Sequence, residues 1–350
     1  MKNHSSINMV NILTRLFHYS LNRYSLCFIF ILLDSWRMDA SADSNSCIGD
    51  SIKEIPKTWY DQSHAYLSKK FCEPAAWFDN FFSNERSDEE RGAGSFVRWR
   101  NEFSFANRDG SAIRSQLSAK IELPNLNKRL HLLLFREDED DTISMLTDNP
   151  KSSFTTNSAD TSISQRNRLN LGLRYNFSEG VLSHFSLSGG VRAGTPLKPF
   201  VKGRYRHTQP LSEKSLARFT ETVYWKNIDG FGETSHIDLE HQLTKENLLR
   251  WSNHATISEL SRGVDLGSEL SLLHQINERK AISFNIGAWG YTQPATFDSV
   301  TINTRFRHNI YRGWFFYEIE PAISWPRDEQ GKRNSVSTIT FRFEVQFERY

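Results

Sequence analysis

No stretch after residue 45 comes near the run of roughly 20 apolar residues that a membrane-crossing helix needs. Helical spans are therefore excluded for everything beyond that point. Cysteine is scarce, with three in the whole chain, and no CxxC or neighbouring histidine marks a metal-binding or reactive pair. An excess of one charge is lacking too. The formal net charge is +2, which argues against nucleic acid as a bulk partner. No serine stands at a defined spacing from a base. What remains looks soluble by hydropathy, with 24% charged residues and a negative mean value. One class of membrane protein has that same profile. Transmembrane strands alternate lipid-facing and interior-facing residues, so their average stays low.

The first 42 residues have the three parts of a secretory signal. Lys2, Arg15 and Arg23 precede the apolar core at 26–33 (LCFIFILL), and Ala40-Ser41-Ala42 follows as an A-x-A cleavage site. The core is too short to span a bilayer, so cleavage near Asp43 is expected, and Met9 is an alternative start. Cys27 leaves with this segment. Cys47 and Cys72 remain, and an even count in an exported chain predicts a disulfide between them.

Two periods divide the rest. Residues 43–92 form a helical segment. Tyr60, His64, Leu67 and Phe71 share one face, and after Pro74 a second apolar face holds Trp77, Phe78, Phe81 and Phe82. The plain reading is a periplasmic cap stapled by Cys47–Cys72. Its exposed aromatics would then offer a contact surface to a periplasmic protein partner. The sharper reading is a helix that plugs a lumen or lies on the inner leaflet. Asp88-Glu89-Glu90 closes the region as a solvated linker.

From about residue 94 the period is two. Along 112–123, Ile113, Leu117, Ile121 and Leu123 alternate with Arg114, Gln116, Lys120 and Glu122. Along 164–177, Leu169, Leu171, Leu173, Tyr175 and Phe177 alternate with Arg168, Asn170, Arg174 and Asn176. About 14 such segments lie between 94 and 347, an even number as single-chain bacterial barrels require. The short segments at 129–137 and 199–208 are the least marked, so 12 or 16 strands stay open. The predicted fold is an all-β transmembrane antiparallel barrel over 93–350, with short N-terminal periplasmic helices. An even count puts both ends of the barrel in the periplasm and the long 138–163 connection outside. A secreted β-sandwich shares the parity. Charge crowding the polar face and aromatics at strand ends (Trp99, Trp225, Trp251, Trp314, Trp325) favour the barrel.

The strand at 341–350 alternates Phe341, Phe343, Val345 and Phe347 with Arg342, Glu344, Gln346 and Glu348. It resembles the C-terminal signature that the barrel-assembly machinery reads, with residues 348–350 overhanging the last outward aromatic. The stretches WFDNFF (77–82), WKNIDGFGET (225–234) and GWFFYEIEPAISW (313–325) resemble uncharacterised proteobacterial outer-membrane barrel proteins. The resemblance implies a porin-like fold, an outer-membrane location, and contact with outer-membrane lipid and lipopolysaccharide. It implies no activity.

If the apolar faces meet lipid, the other faces line the interior. The basic positions are Arg98, Arg100, Arg166, Arg168, Arg174, Arg192, Lys202, Arg204, Arg206, Arg218, Arg305, Arg307 and Arg342. The acidic ones are Glu102, Glu122, Asp238, Glu240, Glu269, Glu318, Glu320 and Glu344. One reading is a wet, anion-favouring channel, since ladders of arginine select anions. The other is a salt-bridged interior with no open path. Roughly 8 strands is the limit that side chains alone can fill, which favours the channel. The acidic run 137–141 would be a solvated loop, a cation site or a constriction against the arginines. A hydrolase built on His236, Asp238, Glu240 and His254 is the rival class, and two histidines without a third ligand make a poor metal site. No enzyme activity, cofactor or metal is expected. Glu221, Asn101 and Asn253 fall on the lipid parity, and Trp289 and Tyr291 on the interior one. A bulge would account for such exceptions.

Overall fold

The computed structural model describes residues 77–79, 81–82, 95–136 (less 109 and 124–128) and 169–349, less a few turn positions at 180–181, 194–195, 228–229, 262, 312 and 329. The signal segment, Cys47 and Cys72 with their expected disulfide, the helix through Phe71, the 88–90 linker, the acidic run 137–141, Arg166 and Arg168 all lie outside these residues.

Fourteen strands make up the described fold: β1 (Ser95–Ala106), β2 (Gly110–Glu122), β3 (Leu130–Arg136), β4 (Leu169–Glu179), β5 (Ser183–Arg192), β6 (Lys198–Ser212), β7 (Ser215–Lys226), β8 (Gly230–Gln242), β9 (Asn247–Ser258), β10 (Asp265–Asn277), β11 (Lys280–Thr292), β12 (Ala295–Tyr311), β13 (Phe315–Ser324) and β14 (Val336–Arg349). Each pairs antiparallel with its sequence neighbours, and β14 returns to β1, so the sheet is a closed barrel with no edge. The count of 14 agrees with the sequence period. The segment expected at 199–208 is a longer strand than its pattern suggested, running on through Pro210 with a register shift between Pro210 and Ser212.

Strand β9 shows why these residues form a wall with two faces. Leu249, Trp251, Asn253, Ala255 and Ile257 fall on the more open face. Leu248, Arg250, Ser252, His254 and Thr256 are buried on the other. The barrel inverts the usual soluble arrangement. Its exposed side chains include Trp99, Leu117, Leu171, Leu187, Ile237, Phe284, Ile302 and Phe343. Most of its buried ones are polar or charged. A contiguous apolar outer surface of this kind is what a lipid-embedded barrel presents.

The short connections 123–129, 213–214, 243–246 and 278–279 lie at the end where β1 starts and β14 finishes; it is called the near end below. At the far end β3 finishes, β4 begins, and the 325–335 loop joins β13 to β14. In that loop Arg333 donates to the carbonyls of Trp325 (2.9 Å), Asp298 (3.0 Å) and Phe297. Gly331 turns it at φ +81°, a conformation that favours glycine.

The parity exceptions have local causes. Glu221 does face outward, and it accepts a hydrogen bond from the Ser235 hydroxyl at 2.7 Å. The β11–β12 ladder shifts register at Trp289/Gly290. Trp289 is nonetheless buried, while Tyr291 is exposed near the far end.

Candidate functional site

The interior has three zones. The first is an ion-pair network on β1, β2, β12, β13 and β14. Glu344 sits 2.7 Å from both Arg100 and Arg307, with Arg98 at 3.7 Å. Arg342 meets Glu102 at 2.7 Å, Glu318 at 2.6 Å and Glu320 at 2.5 Å. Arg305 reaches Glu320 at 3.0 Å, and Arg114 lies 3.8 Å from Glu102. Arg307 and Glu344 are both only 1% exposed, so these charges depend on one another rather than on water. The network crosses the β1–β14 seam, where the first strand meets the last.

The second zone lies on β7, β8 and β9 near the near end. Arg250 meets Glu240 at 3.0 Å, and Arg218 lies 3.6 Å from the same carboxylate. Asp238 accepts from the Ser252 hydroxyl at 2.5 Å and stands 3.1 Å from His236 Nε2. Here the Ser252 hydroxyl donates its hydrogen bond to a carboxylate and not to an imidazole, so Ser252 is not arranged as a nucleophile beside its base. His254 packs against Gly267. Among the described residues, no group of three or more His, Cys, Asp or Glu could hold a metal ion.

Into this zone comes the sequence WFDNFF. Residues 77–79 and 81–82 form one helical turn, with Phe82 N–H donating to the Phe78 carbonyl at 2.9 Å. Asp79 is fully buried and holds Arg250 at 2.7 Å and Arg218 at 3.5 Å. Phe78, Phe81 and Phe82 pack with Leu248, Leu273, Ala281 and Phe316. Trp77 stacks on Phe81 with ring centroids 4.8 Å apart, and Phe81 meets Phe316 edge-on at 6.2 Å. The Arg307 guanidinium also stands over the Phe316 ring, 4.4 Å from its centroid. The turn thus links the β7/β9 arginines to the β12–β14 network.

This corrects one expectation. Phe78, Phe81 and Phe82 are not an exposed contact surface for a periplasmic partner; they are buried against the inward faces of β9, β10, β11 and β13. The reason is energetic, because three exposed phenylalanine rings lose about 1.5–3 kcal/mol each relative to buried ones. The plugging alternative describes this turn. A sequence signal for it existed in Leu248, Leu273, Ala281 and Phe316. These four apolar residues sit on the polar parity, all near strand ends on one side of the barrel.

The third zone is the wall of β4, β5 and β6. Its described inward charges are all basic. They run from Arg192 and Lys198 near the far end, through Lys202, Arg204 and Arg174, to Arg206 and the His184 ring toward the near end. Arg192, Lys202 and Arg204 are buried, whereas Arg174 and Arg206 are half-buried. Phe200 lies beside them over Gly172 and Gly190.

Every basic position expected from 98 to 342 within the described strands thus falls in one of these zones. So do Asp238, Glu240, Glu318, Glu320 and Glu344. Parity identified the face but not the grouping.

No family model matches the chain, and no curated protein matches it. Solved outer-membrane channels are similar in shape at low identity. A monoaromatic hydrocarbon channel, CymD, is 9% identical over 78% of this chain and 93% of its own, with a TM-score of 0.45. The outer-membrane channel DcaP of Acinetobacter baumannii is 9% identical over 73% and 96%, TM-score 0.41. An anion-selective porin from Comamonas acidovorans is 9% identical over 72% and 98%, TM-score 0.39. The barrel architecture stands on this chain's own strand pairing.

Proposed function

We propose that this chain is an outer-membrane channel whose interior favours anions, with passage along the β4–β6 wall. The observation that carries the reading is the division of the interior. Inward carboxylates that meet arginines lie on β1, β8, β13 and β14. The described inward charges of β4–β6 are basic, from Arg192 and Lys198 near the far end to Arg206 toward the near end. The inserted turn rests on β7, β9, β10, β11 and β13, away from that face. A ladder of cations lowers the cost of an anion leaving water and raises that of a cation. An outer-membrane setting fits the apolar outer surface, the closed sheet and the even strand number. A barrel of this size also encloses more than side chains alone can fill.

The test is conductance of the refolded protein in planar bilayers under a salt gradient. The reversal potential should show chloride favoured over potassium, and Lys202→Glu/Arg204→Glu should weaken or invert that preference. Silent bilayers from protein that shows a boiled-versus-unboiled gel shift would end the channel reading.

A further inference from the structure

In an interior of charges, an apolar shelf beside two guanidiniums needs a reason. Leu248, Leu273, Ala281 and Phe316 form the shelf, and Arg218 and Arg250 stand at its margin. Glu240 fixes both arginines from the wall side, at 3.6 and 3.0 Å. Asp238 lies further along β8, engaged by Ser252 and His236. The occupant is one helical turn of the same chain, and its chemistry is specific. It puts a single carboxylate on the arginines and phenyl rings on the shelf. The rings contribute burial, while the carboxylate answers two desolvated cations that are costly to leave without it.

We infer that this seat is a binding site for small carboxylates with an aromatic or apolar body, and that the 77–82 turn is its resident competitor. The inference rests on the channel reading and deepens it by naming a solute class. A phenylalkanoate reproduces both halves of the turn's contact set. Its carboxylate takes the place of Asp79 between Arg218 and Arg250, and its ring lies on the shelf at Leu248, two residues from Arg250 on the same face of β9. Acetate supplies only the charge and 2-phenylethanol only the ring. The site therefore discriminates by requiring both, because each probe that lacks one half forgoes either the ion pairs to Arg218 and Arg250 or the burial of the shelf.

The experiment uses the full chain in detergent and isothermal titration with phenylacetate, acetate and 2-phenylethanol. Asp79→Ala/Phe81→Ala vacates the seat, and Asp79→Asn loosens it with minimal change of shape. The gel shift of unboiled samples checks that each variant keeps its barrel. Phenylacetate should bind the double variant about tenfold tighter than the wild type, with Asp79→Asn in between. Acetate and 2-phenylethanol should each bind the double variant at least about tenfold more weakly than phenylacetate. Adding Arg250→Ala to the vacated background should abolish the preference. The inference is overturned if the vacated seat takes phenylacetate no better than acetate, or if Arg250→Ala leaves binding unchanged. The titration needs no current. Silent bilayers with tight binding would remove the channel and keep the site, whereas anion currents without binding would do the reverse.

Discussion

Inward rings lie flat on the barrel wall where glycine thins it. Phe200 covers Gly172 and Gly190, Trp289 covers Gly287, and His254 covers Gly267. A ring laid along the wall costs less interior width than one standing upright, and it shields the backbone beneath it. The sharpest case is Gly190. A Cβ there would fall 2.6 Å from the Gly172 Cα and 2.9 Å from the Phe200 ring, and backbone on the neighbouring strand cannot give way. Gly190→Ala should therefore cost about 1–3 kcal/mol in urea unfolding of the refolded barrel. Gly189 is the control. Its added Cβ would meet only the Phe200 carbonyl oxygen, at 3.8 Å. Gly189→Ala should stay within about 0.5 kcal/mol. Equal effects at the two sites would refute the packing argument. The outer surface shows the same economy in its polar atoms. The indoles of Trp99 and Trp251 donate to Ser115 at 3.0 Å and Ser268 at 2.9 Å, and Glu221 accepts from Ser235. Parity marked Glu221, Asn101 and Asn253 as misfits. It had no means of finding the cross-strand partner, because register lies outside a single strand's pattern.

Among the elements, the seam between β1 and β14 closes the barrel. Twelve residue pairs run from Ser95↔Arg349 to Ala106↔Thr338. The strand therefore continues past Phe347, and positions 348 and 349, which overhang the apolar alternation, extend the seam toward Ser95. Outside, Phe103 meets Phe343 edge-on at 6.3 Å and Phe105 meets Phe341 at 6.4 Å. Inside, Arg342 joins Glu102 on β1 to Glu318 and Glu320 on β13. Arg342→Ala should cost about 3–5 kcal/mol, since it takes the closest cation from three buried carboxylates. Adding Glu102→Ala should cost clearly less than the sum of the two single changes, because Glu102 has then already lost its closest cation. Strict additivity in urea unfolding would show that the seam pair is not coupled. The strands themselves were legible because period two with a fixed apolar face is a local property. Closure was legible only as an even count. The inserted turn was legible as an amphipathic helix with several possible docking faces, and only the inward apolar residues at strand ends marked which one.

At the scale of the whole molecule, two features share one interior. The basic ladder follows β4–β6, and the aromatic turn spans from Arg218 and Arg250 across to Phe316 beside Arg307. Ladder charge sets which ion enters cheaply, and the turn takes up cross-section near the near end. Their effects on current should therefore separate. Asp79→Ala/Phe81→Ala removes the carboxylate clamp and the ring that meets Phe316. Single-channel conductance should rise, and the reversal potential should keep its sign. Lys202→Gln/Arg204→Gln should reduce anion preference while the clamp stays in place. Combining all four changes should give both effects together, as expected for sites without a common neighbour. A conductance that does not respond to loss of the clamp would mean that the turn stands clear of the permeation path. A reversal potential that moves with the clamp alone would instead tie ion choice to Arg218 and Arg250. That outcome would shift the selectivity element from the β4–β6 wall to the seat of the turn.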